Sequence, residues 1–369
     1  MALRNILNHS LRKLKPYRQF SSSTIISKNL YKSSLPILST PWLMLPPDVK
    51  DGPNGPSDNY WNIIDKSIVK MDRPIAHGSV LFNTKCVGSA KGWVAFVCDS
   101  DGSLFLANPY ATEASCRKLP GLPEGIHRDG LHFILVGDPP SNNFLLLNYS
   151  YGKHGCEIGN SNGWRHNEFR PSQALRSRLA YNRKANTVYE SHLERSGKLQ
   201  IIWWHPLMDC KCTENRWVLS PPLDPNVIGK YMELNEGYPE DHGVETYLVV
   251  DTEENNPSLF FVIRHFARQD GIQWETKDIE LYKIDLEGDG KLERVESIGD
   301  QALFIGRNSE PFFISTHKCS GLKPNCVYVA EDLGYYDLET KSITPFLSLG
   351  DLANIRPHVY WVAPPYSYV

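Results

Sequence analysis

The sequence predicts an all-β protein, a β-propeller made of four-stranded antiparallel blades. Short runs rich in aromatic and β-branched residues recur along the chain, and each ends at Gly, Asn, Asp or Pro, as strands joined by tight turns do. These runs gather into clusters with a period of about 45 to 50 residues, which is the size of one propeller blade. Long helical periodicity is absent from the body of the chain.

Eight of the runs are distinct enough to place strands from the sequence. They cover residues 92–98, 103–107, 144–149, 199–204, 246–250, 259–263, 279–284 and 326–329. Residues 60–70 are the one segment of the body whose pattern is compatible with a short helix.

The strand runs form five clusters that we interpret as blades: residues 79–118, 131–170, 174–220, 244–298 and 302–347. The remaining segments, residues 41–75 and 356–365, come from opposite ends of the chain and together would complete a sixth blade. Such pairing would close the ring and remove open sheet edges. We therefore expect one propeller domain over residues 36–369 with six blades, with five or seven blades as alternatives.

The composition is that of an ordinary globular protein. No run of about 18 apolar residues could cross a bilayer, so we expect no membrane span. Residues 1–20 hold five of the 39 basic residues and none of the 42 acidic ones, so the rest of the chain carries a formal charge of −8. An acidic body has no broad attraction to phosphate backbones, and we expect no nucleic acid partner. The eight cysteines are too sparse for a disulfide scaffold, and we expect reduced thiols.

The amino-terminal 35 residues have the composition of a transit peptide. They are basic, rich in Ser and free of acidic residues, and their first part could form a cationic amphipathic helix. The Arg content favours mitochondrial over plastid import; the alternatives are a plastid address, import into both organelles, or a disordered tail on a cytosolic protein. Arg18, Phe20 and Ser21 resemble a mitochondrial processing pattern and predict a cleavable segment over residues 1–20, or to about residue 35.

Six short motifs occur in the order found in the plant KIB-type β-propeller family (domain of unknown function 295), which the chain resembles over essentially residues 35–365. We interpret the motif residues as structural. They are Pro41, Trp42 and Pro46; Cys86, Gly88, Ser89, Gly92 and Trp93; Asn108 and Pro109; Tyr247 and Leu248; Phe304 and Gly306; and Asn325, Cys326 and Tyr328.

The resemblance implies a propeller that often follows an F-box in substrate receptors of ubiquitin ligases. Here 40 residues precede Pro41, and they are free of acidic residues, so the chain resembles an organellar branch without the F-box, whose biochemical role is undefined. Two local departures from the family pattern are Ala90–Lys91, where relatives often have Ser-His, and Glu331–Asp332, where two Asp residues are common.

Several motif residues also have a direct physical interpretation. Gly88 and Gly92 are expected to bracket a tight turn, because Gly adopts positive φ without steric cost. Four aromatic side chains at strand positions are expected to pack between neighbouring sheets: Trp93, Phe96, Phe105 and Phe304.

Three sets of residues are candidate metal sites. Residues 285–296 nearly match a Ca²⁺-binding loop, but strand-like runs flank them where an EF-hand has helices, so we expect a hairpin turn. The spacings of Cys210 and Cys212, and of His317, Cys319 and Cys326, do not fit a structural zinc site. We expect no metal and no cofactor.

No nucleophile elbow, phosphate-binding loop, dinucleotide fingerprint or zinc-protease motif occurs in the sequence. We therefore expect no catalytic residues and a non-catalytic module that binds a protein partner, with the import machinery as an earlier partner of the presequence. The alternative is a propeller enzyme with its active site in the central channel. Convergent carboxyl and His side chains with shifted pKa values in that channel would favour the enzyme.

We predict import into mitochondria with cleavage after Phe20, because a cationic segment free of acidic residues precedes the processing pattern. Amino-terminal sequencing of the mature protein should therefore begin at Ser21. Recovery from the cytosol of a protein that still begins at Met1 or Ala2 would contradict this prediction.

Overall fold

The computed structural model describes residues 40–45, 57–72, 75–76, 79–80, 84–98, 101–110, 116–119, 132–137, 145–149, 156–160, 163–167, 174–194, 199–205, 215–219, 242–252, 257–269, 273–285, 291–347 and 359–364. All regular structure in these ranges is β, in 27 strands that we number in chain order. None of the described residues forms a helix that could cross a membrane. Residues 1–20, with Arg18, Phe20 and Ser21, lie outside the described ranges, as does Pro46.

Four sheets have four strands each, and their strands are adjacent in the order given. They are β27 (Tyr360–Val362), β1 (Trp42–Leu45), β2 (Ser57–Asn62) and β3 (Ser67–Asp72); β10 (His132–Val136), β11 (Leu145–Tyr149), β12 (Cys156–Asn160) and β13 (Gly163–Asn167); β14 (Ala174–Asn182), β15 (Thr187–Glu194), β16 (Leu199–Trp204) and β17 (Asn215–Leu219); and β18 (His242–Asp251), β19 (Ser258–Gln269), β20 (Gln273–Ile284) and β21 (Leu292–Val295).

The remaining strands form one nine-stranded sheet and a two-stranded ribbon. One half of the large sheet is β6 (Thr84–Ala90), β7 (Trp93–Cys98), β8 (Leu104–Ala107) and β9 (Cys116–Leu119), and the other half is β23 (Ser309–Ser315), β22 (Gln301–Gly306), β24 (Cys326–Val329), β25 (Gly334–Asp337) and β26 (Ser342–Pro345). Among the described residues, one register pair, Ser89 and Ser309, joins the two halves. The ribbon is β4 (Ile75–Ala76) and β5 (Ser79–Val80).

The helix considered for residues 60–70 is wrong, because this segment is the β2–β3 hairpin. The Asn62 side chain accepts hydrogen bonds from the backbone N–H groups of Ile64 at 2.9 Å and Asp65 at 3.2 Å. An Asn side chain that caps backbone donors in this way favours a turn over a helix. Lys66 completes the turn with a φ of 48°.

The hydrophobic core lies between neighbouring sheets rather than in one central mass. Trp93 packs with residues of β10, Phe96 and Phe105 pack with residues of β1, and Phe304 packs with Trp361 of β27. These positions confirm the expected burial of the four aromatic side chains. Strands with both faces covered, such as β7, β8 and β24, are apolar almost throughout instead of alternating.

The two motif glycines of β6 and its turn have different roles. Lys91 and Gly92 form the β6–β7 turn with φ values of 47° and 77°, the geometry of a two-residue hairpin turn of type I′. The expectation that Gly88 borders this turn is wrong, because Gly88 lies within β6. A Cβ atom there would lie 2.8 Å from the carbonyl oxygen of Asn308, so Gly88 permits close approach of two backbones.

The two ends of the described chain pair with each other, as the sequence predicted. β1 is antiparallel to β2 on one side and to β27 on the other, with Leu43 opposite Trp361. The backbone N–H of Trp361 donates to the hydroxyl of Ser309 at 2.9 Å, and its indole N–H donates to the carbonyl oxygen of Ile305 at 3.0 Å. β27 therefore joins the sheet at the amino-terminal end to β22 and β23.

We predict that deletion of residues 356–369 destabilises the whole body, because it removes β27 and exposes the apolar faces that β27 covers. Trp361→Ala alone should lower the free energy of unfolding by about 3–5 kcal/mol, which is a large part of the roughly 5–15 kcal/mol typical of a domain. Denaturant unfolding of both variants tests this. Deletion of residues 365–369 is the control, since it retains β27. Equal midpoints and slopes for the 356–369 deletion and the intact chain would show that β27 does not stabilise the closed ring.

Candidate functional site: the axial channel

Six strands, one at the inner edge of each sheet or half-sheet, contact each other in a cycle. β27 contacts β6, and contacts then follow from β6 to β10, β14, β18, β23 and back to β27. We call the space that they surround the axial channel. β10, β14 and β18 each have a strand partner on one side only, so the backbone groups on their other edge face away from their own sheet.

Two cavities of about 30 Å³ each lie along the axial channel. Each has room for one or two water molecules. They share three lining residues, Leu248, Glu310 and Pro311, and we call this place the waist. Beyond the waist, the first cavity is lined by Arg178, Tyr247, Gly306, Arg307 and Ser309 among others, and the second by Tyr181, Val250, Thr252 and Phe313 among others.

An ion-pair cluster lies beside the first cavity, centred on Arg264 of β19. The Arg264 side chain is 2% exposed. Its Nη1 lies 3.0 Å from Glu245 Oε2 and 3.5 Å from Glu331 Oε2, and its Nη2 lies 3.3 Å from Asp332. Arg264 Nε donates to the hydroxyl of Thr276 at 2.7 Å. The guanidinium thus joins the β18–β20 sheet to the turn between β24 and β25.

Arg307 completes this arginine–carboxylate cluster, which consists of Glu245, Arg264, Arg307, Glu331 and Asp332. Its Nε donates to Glu245 Oε1 at 2.7 Å, and its backbone N–H donates to Glu331. Burial alone would raise the pKa of Glu245, but the charges of Arg307 and Arg264 outweigh burial and hold that pKa well below the usual carboxyl range. Glu331 has a raised pKa because of burial, which the charge of Arg264 only partly offsets.

Tyr247 and Arg178 connect the cluster to the channel wall. The Tyr247 hydroxyl donates to Glu245 Oε2 at 2.9 Å, and burial raises the Tyr247 pKa well above its usual value. The Arg178 guanidinium lies 5.7 Å from the Tyr247 ring centroid, and its Nε donates to the carbonyl oxygen of Thr246. With Arg178 included, three guanidinium groups face three carboxyl groups, so the cluster is close to neutral.

Glu310 of β23 differs from the carboxyl groups of the cluster. It is buried at the waist, and its Oε2 has no hydrogen-bond partner. Burial raises its pKa from 4.5 to about 7, and the charge and backbone N–H of Lys91 offset burial only in part. The ammonium group of Lys91 itself donates to the carbonyl oxygen of Leu135 and lies 4.2 Å from the Tyr181 ring centroid.

The family-motif residues divide between the core and the axial channel. Tyr247, Leu248 and Gly306 line the first cavity. The other described ones lie in strands, turns and the core, among them Trp42, Cys86, Ser89, Phe304, Cys326 and Tyr328, which are all at most 9% exposed. Asn108 and Asn325 act in turns, where their side-chain oxygens accept from the backbone N–H groups of Tyr110 and Ile298.

The channel residues that carry charge were missed by sequence reasoning. Glu245, Arg264 and Glu310 each adjoin an apolar strand run, and a charge at such a position was the available signal. The two departures from the family pattern fall at this site: Glu331–Asp332 lies in the arginine–carboxylate cluster, and Lys91 acts on Glu310.

The segments weighed as metal sites have other surroundings. β20 and β21 pair as a hairpin around residues 285–291, as expected, although residues 286–290 lie outside the described ranges. Cys319 and Cys326 are buried, and burial raises the pKa of each thiol to about 11, which disfavours the thiolate that zinc needs. Cys210 and Cys212 are not among the described residues, and the described residues contain no group of three or more His, Cys, Asp or Glu side chains placed to hold a metal.

Some solved structures resemble this fold at low identity. They include a putative 6-phosphogluconolactonase from Bacteroides uniformis (11% identity over 88% of this chain and 100% of that chain, TM-score 0.39), the Aleuria aurantia lectin in complex with α-methyl-L-fucoside (10%, 81% and 94%, 0.35) and a chain of the nidogen/laminin complex (10%, 88% and 99%, 0.38). With TM-scores below 0.5, these likenesses carry no argument. No curated protein matches the sequence.

The sheets, their cyclic contacts and the axial channel are the features of a β-propeller protein. The family comparison agrees with this class, because the KIB1-4 beta-propeller model matches residues 61–347. The chain belongs to the KIB1-4 β-propeller family.

We predict that Arg264→Met destabilises the protein by about 3–5 kcal/mol, because it leaves buried carboxyl groups without their partner. The loss should be larger near pH 8 than near pH 5. Without Arg264 the pKa of Glu331 rises further above its unfolded value, so the variant gains stability as the pH falls.

Arg294→Met is the matched control for this variant. Arg294 pairs with Glu296 at 3.1 Å, but both side chains are about half exposed or more, so its loss should cost no more than about 1 kcal/mol. Urea unfolding of both variants at the two pH values measures the difference. Equal stability of the two variants would contradict a structural role for the arginine–carboxylate cluster.

Proposed function

We propose that this chain is a non-catalytic mitochondrial propeller that binds a protein partner. The observation that carries this proposal is the size and chemistry of the axial channel. Cavities of about 30 Å³ are far below the roughly 300–1,000 Å³ of sites that enclose small-molecule ligands. Cavities of this size leave the faces and rim of the ring as the surface on which a protein partner can bind.

The charged groups beside the channel also favour a binding module. In the arginine–carboxylate cluster each acid is paired with a guanidinium, which is the arrangement of a structural clamp. Among the described residues that line the two cavities, Glu310 is the only carboxylic acid and none is His or Cys. Acid–base catalysis commonly uses two groups with different pKa values, and here one such group is present.

The mitochondrial location rests on residues 1–35, which are basic and free of acidic residues. A plastid location is the alternative, since plastid transit peptides share this composition. Membership of an organellar branch of the family is part of the same proposal. This proposal makes a role as a substrate receptor of a ubiquitin ligase the least favoured function.

We further propose that the ring has six blades. The support is the cycle of six inner strands, in which the two halves of the nine-stranded sheet count as separate blades because a single register pair, Ser89 and Ser309, joins them. The sixth blade is then the sheet that contains both β1 and β27. Five and seven blades remain the alternatives.

The experiment uses mitochondria isolated from cells that express the chain tagged after Val369. It measures the native size and the protein composition of the species that contain the chain. We predict elution from gel filtration in a complex larger than one chain, with a second protein in a fixed ratio. The variant that lacks residues 356–369 controls for dependence on the closed ring. Elution as a single chain, or as copies of this chain alone, would contradict the proposal.

A propeller enzyme with its active site in the axial channel is the second candidate. One observation favours it: the pKa of Glu310 is raised to about 7, a value suited to a general base. This function would require the channel to open for a substrate, and elution as a single chain would leave it as the preferred candidate.

A further inference from the structure

The waist of the axial channel holds a buried carboxyl group whose burial the charge and backbone N–H of Lys91 offset only in part. Glu310 is 8% exposed, and its Oε2 faces no hydrogen-bond donor. An ionised carboxylate in such a place costs free energy unless a cation or donors compensate it. The ammonium group of Lys91 is directed to the carbonyl oxygen of Leu135 and the ring of Tyr181, so it compensates Glu310 only in part.

The channel wall beside Glu310 presents carbonyl oxygens that attract cations. On the free edge of β18, the carbonyl oxygen of Thr246 accepts from the guanidinium of Arg178. Just beyond the same strand, the carbonyl oxygen of Thr252 accepts from the ammonium group of Lys184 at 2.9 Å. Two carbonyl groups six residues apart on one edge therefore already bind positively charged side chains.

Strand geometry places further carbonyl groups between these two. Backbone groups of alternate residues point to the same edge of a strand, so the carbonyl groups of Leu248 and Val250 point to the same edge as those of Thr246 and Thr252. Leu248 lines both cavities together with Glu310, and Val250 lines the second. The waist therefore brings Glu310 and Leu248 to the same small space, and strand geometry directs the Leu248 carbonyl group to the free edge of β18.

We propose that the waist is a binding site for a small, hard metal cation, held by the Glu310 carboxylate and the edge carbonyl oxygens of β18. Oxygen ligands of this kind suit Na⁺, K⁺, Mg²⁺ or Ca²⁺ rather than zinc. The site needs no cluster of acidic residues, since most of its ligands are backbone atoms. Its occupation would tie β18 to its neighbour β23, which goes beyond the protein-binding role proposed above.

The surrounding charges determine when such a cation binds. Lys91 and Arg178 approach from the β6–β7 turn and β14, and Arg307 from the β22–β23 turn, while Tyr181 and Tyr247 are neutral at ordinary pH. Because the folded-state pKa of Glu310 is raised from 4.5 to about 7, its effect on stability is favourable below the unfolded value and is lost as the pH rises through about 7. A cation that replaces the proton should therefore stabilise most above that pKa.

The test measures the midpoint temperature of thermal unfolding of the full chain at about pH 8 and constant ionic strength. Chloride salts of Na⁺, K⁺, Mg²⁺ and Ca²⁺ are compared with N-methylglucammonium chloride, whose cation is too large for the cavity. Glu310→Gln keeps the shape of the side chain and removes its charge. Glu293→Gln is the matched control, because Glu293 is an exposed glutamate on β21.

We expect at least one metal cation to raise the midpoint of the wild type and of Glu293→Gln by about 2–4 °C. The rise should be absent from Glu310→Gln, and it should shrink at about pH 6, where Glu310 holds its proton. Equal midpoints in all salts, or a metal-specific rise that persists in Glu310→Gln, would overturn the site.

Discussion

The pairing of β1 with β27 is the constraint on which the rest of this structure depends. A propeller sheet is apolar on both faces and is stable only between two neighbours, so the sheets at the two ends of the chain need each other. β1 meets this need by pairing with the strand next to it in sequence and with the last described strand. Side chains reinforce the pairing. The Tyr360 hydroxyl donates to the carbonyl oxygen of Cys86 at 2.9 Å, and the Tyr110 hydroxyl lies 2.8 Å from the carbonyl oxygen of Val362.

Closure creates the axial channel and with it a second constraint. The inner strands present backbone groups toward a narrow channel, and those groups need partners. Cationic side chains supply two of them, because Arg178 and Lys91 each donate to a carbonyl oxygen. These positive charges in turn require buried acids, and the arginine–carboxylate cluster meets that need on one side of the channel. Glu310, at the waist, is compensated only in part by Lys91, and for this reason the cation proposed for the waist would stabilise the fold.

The fold was predictable because its signals are local. Each strand run near residues 92–98 or 326–329 carries its own aromatic and β-branched residues and its own turn, so the strands could be placed without knowledge of their neighbours. Residues 60–70 were the exception, since their apolar spacing fits a helix and the deciding feature is the Asn62 side chain that closes a turn. The role of Gly88 was also misjudged, because the residue that it must accommodate is Asn308, which is 220 positions away.

The sequence by itself determined the all-β class, the positions of most strand clusters and the pairing of the chain ends, since all three follow from local patterns and from the need to cover every sheet. It also supplied a family resemblance that the KIB1-4 β-propeller match confirms. Only the tertiary structure decided which charges meet. Glu245, Arg264, Arg307 and Glu331 come from four separate segments, and Lys91 meets Glu310 where β6 lies beside β23. Charge compensation acts over a few ångströms in space, whereas these residues are tens to hundreds of positions apart, so no local pattern could reveal them.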